Sequence, residues 1–145
     1  VKLNKPLTNN FWLNTNDDAM DIPGIIEYSN LNTEVGNIVY VPYYMPQTNP
    51  KFQDSDETFK EKVSKYFKTI NPSLKDDDIK DIRVHRYYFS QPICQPNFMD
   101  TLPDAKITLD GLWIADTSHY YPEDRGISES IGYGRKLVKR VLSDS

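Results

Sequence analysis

Apolar and polar positions alternate over short stretches in the first third of the chain. Val1 to Leu7, Phe11 to Thr15, Gly24 to Tyr28 and Asn37 to Tyr44 are each rich in β-forming residues, with Asn9-Asn10, Asn16-Asp17-Asp18 and Pro23-Gly24 as turn chemistry between them. This pattern predicts three or four strands in an antiparallel meander. Val39 and Val41 alternate with Ile38 and Tyr40, so that strand is apolar on both faces and reads as central.

From Asp54 the period changes. Phe59, Val63, Phe67 and Ile70 recur at helical spacing while Lys60, Glu61, Lys62 and Lys65 fall outside the stripe, which predicts an amphipathic helix from Asp54 to Ile70. Asp54 and Glu57 have the spacing of a capping box, and Asn71-Pro72 ends the element. Ile82 and Val84 then alternate with Arg83 and His85, predicting a half-buried strand within Ile79 to Phe89. Ser90 to Asp110, with Pro92, Pro96 and Pro103, reads as irregular, and Leu112 to Ala115 as a short buried strand. Ile127, Ile131, Gly134, Val138 and Val141 form the stripe of a last helix, Ile127 to Leu142, with Arg135, Lys136, Lys139 and Arg140 toward its carboxyl end. The elements predict an α+β fold: a mainly antiparallel mixed sheet of about five or six strands with one helix packed on it.

Composition narrows the function classes. The 145 residues carry 17 Lys and Arg against 21 Asp and Glu, a net charge of −4, so no general positive field is available to attract nucleic acid. The apolar runs are far shorter than the ~20 residues that span a bilayer. Cys94 is the single cysteine, which excludes an intrachain disulfide and fits a reducing cytoplasm. His85, His119 and Cys94 lack metal-ligand spacing. The start at Val1, without an initiator methionine or a signal segment, raises the expectation of a piece of a longer protein.

The candidate chemistry lies near the end. Gly111 to Asp116 reads as a turn, a short strand and a terminal carboxylate; Thr117 to Arg125 forms a loop; Gly126 opens the last helix. A carboxylate beside the free amides of a helix start forms an anion or cofactor cradle. The residues alone leave two other roles open, Asp116 as a turn cap and Gly126 as a bend.

The run GLWIADTSHYYPEDRGISESIGYGRKL resembles the C-terminal flavin-contacting motif of the FAD-dependent amine oxidase, protoporphyrinogen oxidase and phytoene desaturase superfamily. The resemblance implies that Asp116 contacts the ribityl or pyrophosphate part of FAD. It also implies that the backbone of Gly126, Ile127 and Ser128 meets the pyrimidine edge of the isoalloxazine, with Arg125 among the cofactor-binding residues. Tyr40, Tyr44, His119 and Tyr120 become candidates for the substrate side, and no catalytic residue is nominated. Phe11-Trp12-Leu13-Asn14, Ile22 to Glu27 and Val39 to Tyr44 resemble the family's substrate-binding half more weakly.

The family's Gly-x-Gly-x-x-Gly does not occur in this sequence. The expectation is therefore a substrate-binding-type region over 1–110 and a flavin-contacting strand, loop and helix over 111–145. Together they would form the C-terminal portion of an amine oxidase-like oxidoreductase that passes a hydride from a small-molecule substrate to FAD. A separate N-terminal FAD-binding domain is the implied partner, the last helix belongs to the FAD-binding region, and dimerisation follows if its stripe is left uncovered. The alternatives are a flavin-dependent sugar-ring mutase and a non-catalytic partner- or glycan-binding module.

Overall fold

A computed structural model describes residues 1–90 and 92–144. They separate into two compact units, Val1–Tyr88 and Phe89–Ser145; residue 110, where the expected first region ends, lies inside the second. The class is α+β, with short antiparallel strands and helices.

In the first unit the strands are β1 (Lys2–Leu3), β2 (Trp12–Asn14), β3 (Gly24–Glu27), β4 (Val39–Tyr40) and β5 (Ile79–Asp81). They pair as β2-β3-β4 and as β1-β5, all antiparallel. A bridge between Lys2 and Ile38, with Leu3 N–H to Asn37 C=O and Val39 N–H to Val1 C=O both at 2.9 Å, links the two ladders through β1. The five strands thus form two linked ladders instead of one mixed sheet. They are also shorter than the pattern predicts, because pairing stops where a neighbour stops. Beyond Asp81, Ile82 and Val84 keep their half-buried alternation with exposed Arg83 and His85 but belong to no strand.

Leu3, Ile25 and Val39 point inward and meet α1 (Asp56–Ile70), which contributes Val63, Tyr66 and Phe67 to the same core. The helix begins later than the capping-box spacing indicates. The hydroxyl oxygen of Ser55 accepts the Thr58 amide at 3.1 Å, while Asp54 closes the preceding 3-10 turn. Serine wins because it directly precedes the first helical residue, where its oxygen reaches an otherwise unpaired amide.

Glu27 is wholly buried. Its Oε1 accepts the Leu7 amide at 2.7 Å, and its Oε2 accepts the Thr8 amide at 2.7 Å and the Thr8 hydroxyl at 2.9 Å. Leu7 and Thr8 lie outside any strand, so this carboxylate does for them what a neighbouring strand would have done.

Asp21 joins α1 to the loop before β3. Lys51 lies 2.9 Å and Lys62 3.5 Å from its carboxylate, and Lys62 also reaches Asp54 at 3.3 Å. The hydrogen bond from Lys51 holds the Asp21 carboxyl below the usual range, and the charges of Lys51 and Lys62 add to this against desolvation. A depressed carboxylate contributes stability above its unfolded pKa of about 3.9, and this is lost as pH falls through the folded value. Asp21→Asn is expected to cost about 1 kcal/mol or less at neutral pH. The cost should shrink below about pH 4. Urea unfolding across pH checks this, and a loss that stays constant into acid contradicts it.

The second unit holds α2 (Phe98–Thr101), a 3-10 helix (Thr117–Tyr120) and α3 (Ile127–Asp144). The segment expected to be irregular thus contains one helical turn. Leu112 to Ala115 is not a strand: it makes a single bridge, Trp113 to Lys106, supported by Ile114 N–H to Ala105 C=O at 2.7 Å. With one short partner and no second neighbour, the apolar run has nothing to extend its ladder. The Trp113 ring lies 5.7 Å from Lys106 Nζ and 5.2 Å from the Arg140 guanidinium. These cations are anchored by Asp144 and Asp104 respectively. On α3 the half-buried apolar residues are Tyr133, Leu137 and Val141. The stripe formed by Ile127, Ile131 and Val138 is real in spacing but faces outward.

Candidate functional site

Asp116 is the amino-terminal cap of the 3-10 helix. Its Oδ1 accepts the Ser118 amide at 2.9 Å and also the Ser118 hydroxyl, and His119 Nδ1 lies 3.2 Å away. The hydroxyl of Ser118, then its amide, hold the Asp116 carboxyl below the usual range, so it is ionised at neutral pH. Among the described residues its Oδ2 has no hydrogen-bond donor, and the side chain is largely exposed. The turn-cap role left open by the sequence is therefore real, and it occupies only one of the two oxygens.

His119 folds back so that its Nδ1 also accepts the Asp116 amide at 3.2 Å. Nδ1 is equally close, at 3.2 Å, to the Asp116 carboxylate, and Nε2 is buried without a partner among the described residues. The ring packs 5.8 Å from that of Tyr133 on α3. Tyr120 also reaches α3: its hydroxyl lies 3.0 Å from the Ser130 Oγ, and its ring lies 6.1 Å from that of Tyr133. The loop bearing Asp116 is thereby fastened to the first turns of the helix that Gly126 precedes.

At that helix start, Ser130 N–H donates to Gly126 C=O at 3.1 Å and the Ser130 hydroxyl to the same oxygen at 2.9 Å. The amides of Ile127, Ser128 and Glu129 precede the first intrahelical donor. A Cβ on Gly126 would meet only the Glu129 carboxylate, so the helix's own glutamate lies over its positive end. That carboxylate is the movable end of a flexible side chain and the φ of Gly126 lies outside the left-handed region, so neither contact nor backbone demands glycine there. Sequence reading passed over Glu129, although its place three residues after Gly126 is the glutamate position of a capping box.

Arg125 directly precedes Gly126 and donates its backbone N–H to the Asp124 carboxylate at 2.7 Å. It lines a cleft of about 320 Å³ together with Cys94, Thr117, Ser118, Tyr121 and Asp124. Tyr40 and Tyr44 belong to the first unit and are exposed, with Tyr28 set edge-on to Tyr40 at 6.3 Å. Cross-strand register places Trp12, Ile26 and Tyr40 in one row. His119 and Tyr120 belong with Asp116 in the second unit.

Among the described residues no cluster of His, Cys, Asp and Glu could hold a metal ion, and no helix is long and apolar enough to cross a membrane. Comparison with protein-family models, curated proteins and solved structures found no match for this chain.

Proposed function

We propose that this chain is the substrate-binding and C-terminal flavin-contacting part of an FAD-dependent, amine oxidase-like oxidoreductase. The observation that carries the reading is the fastening of the Asp116 loop to the start of α3 through Tyr120 and Ser130, which keeps an ionised acceptor and a set of helix-start amides in one packed substructure. The residues fit the cofactor: Asp116 Oδ2 is free to accept from a hydroxyl, and the amides of Ile127 and Ser128 are donors at the positive end of a helix. Glu129 is a flexible side chain over that end and must swing aside. FAD, when bound, supplies the acceptor for a hydride from a substrate C–H bond. Asp116 then orients the cofactor through its hydroxyls, and the α3 amides hold negative charge at its pyrimidine edge.

The test uses Asp116→Asn, because asparagine caps a turn as well as aspartate does and removes only the charge. In protein expressed from its complete reading frame, wild type is expected to purify with flavin absorbance and the variant with severalfold less FAD per chain. A wild type without flavin, or equal occupancy in the two, defeats the reading. A second reading, a partner- or glycan-binding module, is favoured by the exposed rings of Trp12 and Tyr40 on either side of Ile26. It predicts a flavin-free protein whose Trp12 fluorescence responds to an oligosaccharide.

A further inference from the structure

α3 carries two features that its own unit does not use. Ile127, Ile131, Val138 and Leu142 are 81, 54, 57 and 73% exposed. With Gly134 they recur four, three, four and four residues apart, the narrow spacing of a helix-pairing seam instead of a broad core-facing stripe. Gly134 stands at the middle of the seam, and a Cβ there would meet nothing within 4 Å. Glycine inside a helix lowers its stability relative to alanine, and no neighbour among the described residues calls for it. A notch in an exposed seam lets another backbone come close.

The flank of the seam is positive. Arg135 and Lys139 lie one turn apart beside it, with Lys136 further round. Among the described residues none of the three is in an ion pair, whereas Arg140 is held by Asp104 and Lys106 by Asp144. We propose that the seam docks an acidic amphipathic helix of a partner protein, with apolar residues against Ile127, Ile131, Val138 and Leu142 and carboxylates against Arg135 and Lys139.

A second copy of α3 suits the seam poorly. Arg135 sits near its midpoint, and symmetric pairing brings it toward the same charge on the other chain. An anionic lipid surface suits it poorly too, because the apolar face is narrow, has no aromatic residue and is interrupted by glycine. The contact rests on side chains of α3 and shares with the flavin reading only Ile127, whose backbone amide and not its side chain serves there; the substitutions that test it lie outside that shared residue.

The probe is a synthetic peptide of three heptads with isoleucine and leucine at the core positions and glutamate on both flanks, titrated against the protein by fluorescence anisotropy. The expected result is saturable binding that weakens as salt is added. Val138→Asp should abolish it, and Arg135→Glu with Lys139→Glu should weaken it by about tenfold or more. Circular dichroism should show undiminished helix in each variant, because these side chains are exposed. Gly134→Leu should keep or raise helix content yet weaken binding. The proposal is overturned if the peptide does not bind, if a lysine-flanked counterpart binds as well, if Gly134→Leu leaves affinity unchanged, if phosphatidylglycerol vesicles bind in place of the peptide, or if the protein self-associates through this face.

Discussion

Glu27→Ala is expected to destabilise the first unit by about 3–5 kcal/mol, a large share of the roughly 5–15 kcal/mol that holds a domain folded. The wholly buried carboxylate accepts two backbone amides and a hydroxyl. Removing it leaves the buried Leu7 amide and the part-buried Thr8 amide with no acceptor, at about 1–3 kcal/mol for the buried one, and opens a cavity besides. The Thr8 hydroxyl keeps the Asn10 carbonyl. Glu27→Gln keeps the shape but turns an amide NH2 toward one of those donors, so its expected cost is smaller, about 1–3 kcal/mol. Urea unfolding of the three proteins checks the order. Alanine within about 1 kcal/mol of wild type would mean that Leu7 and Thr8 find other partners at little cost.

Phe67→Ala is the second large effect, expected at about 3–5 kcal/mol. The ring is fully buried on α1 in a cluster with Leu3, Ile25 and Val39, so truncation removes its transfer energy and leaves a void that close-packed strands cannot fill. The exposed Lys65→Ala on the same helix is the control, expected within about 0.5 kcal/mol of wild type. If both substitutions shift the urea midpoint equally, the packing of α1 on the sheet is wrong.

Both residues bear on how far the chain could be read. Phe67 was legible because helical spacing with Phe59, Val63 and Ile70 declares a buried face whatever that face packs on. Glu27 was not: a glutamate ending a β-rich run reads as exposed, and its partners Leu7 and Thr8 lie about twenty residues away in sequence. Strand lengths were overread for the same reason. Leu112 to Ala115 has the composition of a buried strand, yet a ladder needs a partner, and only Lys106 lies opposite.

The candidate site divides in the same way. The adjacency of Asp116, the loop and Gly126 was visible as a run of residues. Ser118, Ser130 and Tyr133, which tie the loop down, emerged only from folding, whereas Glu129, which covers the helix start, had a signal in its spacing from Gly126. The seam of α3 was visible as a period, but a period does not reveal whether its apolar face looks in or out.

The chain by itself determined the α+β class, the place and buried face of α1, the antiparallel pairing of β2, β3 and β4 and the neighbourhood of Asp116 and Gly126. These follow from local spacing and turn chemistry, which act between residues close in sequence, whereas the partner of β1 is β5 and not the next strand in sequence. Tertiary structure alone decided where each ladder ends, which carboxylate is buried, which oxygen of Asp116 stays free and which way the last helix turns its apolar stripe. Those outcomes depend on pairing and burial between distant segments, and no single stretch of sequence carries that information.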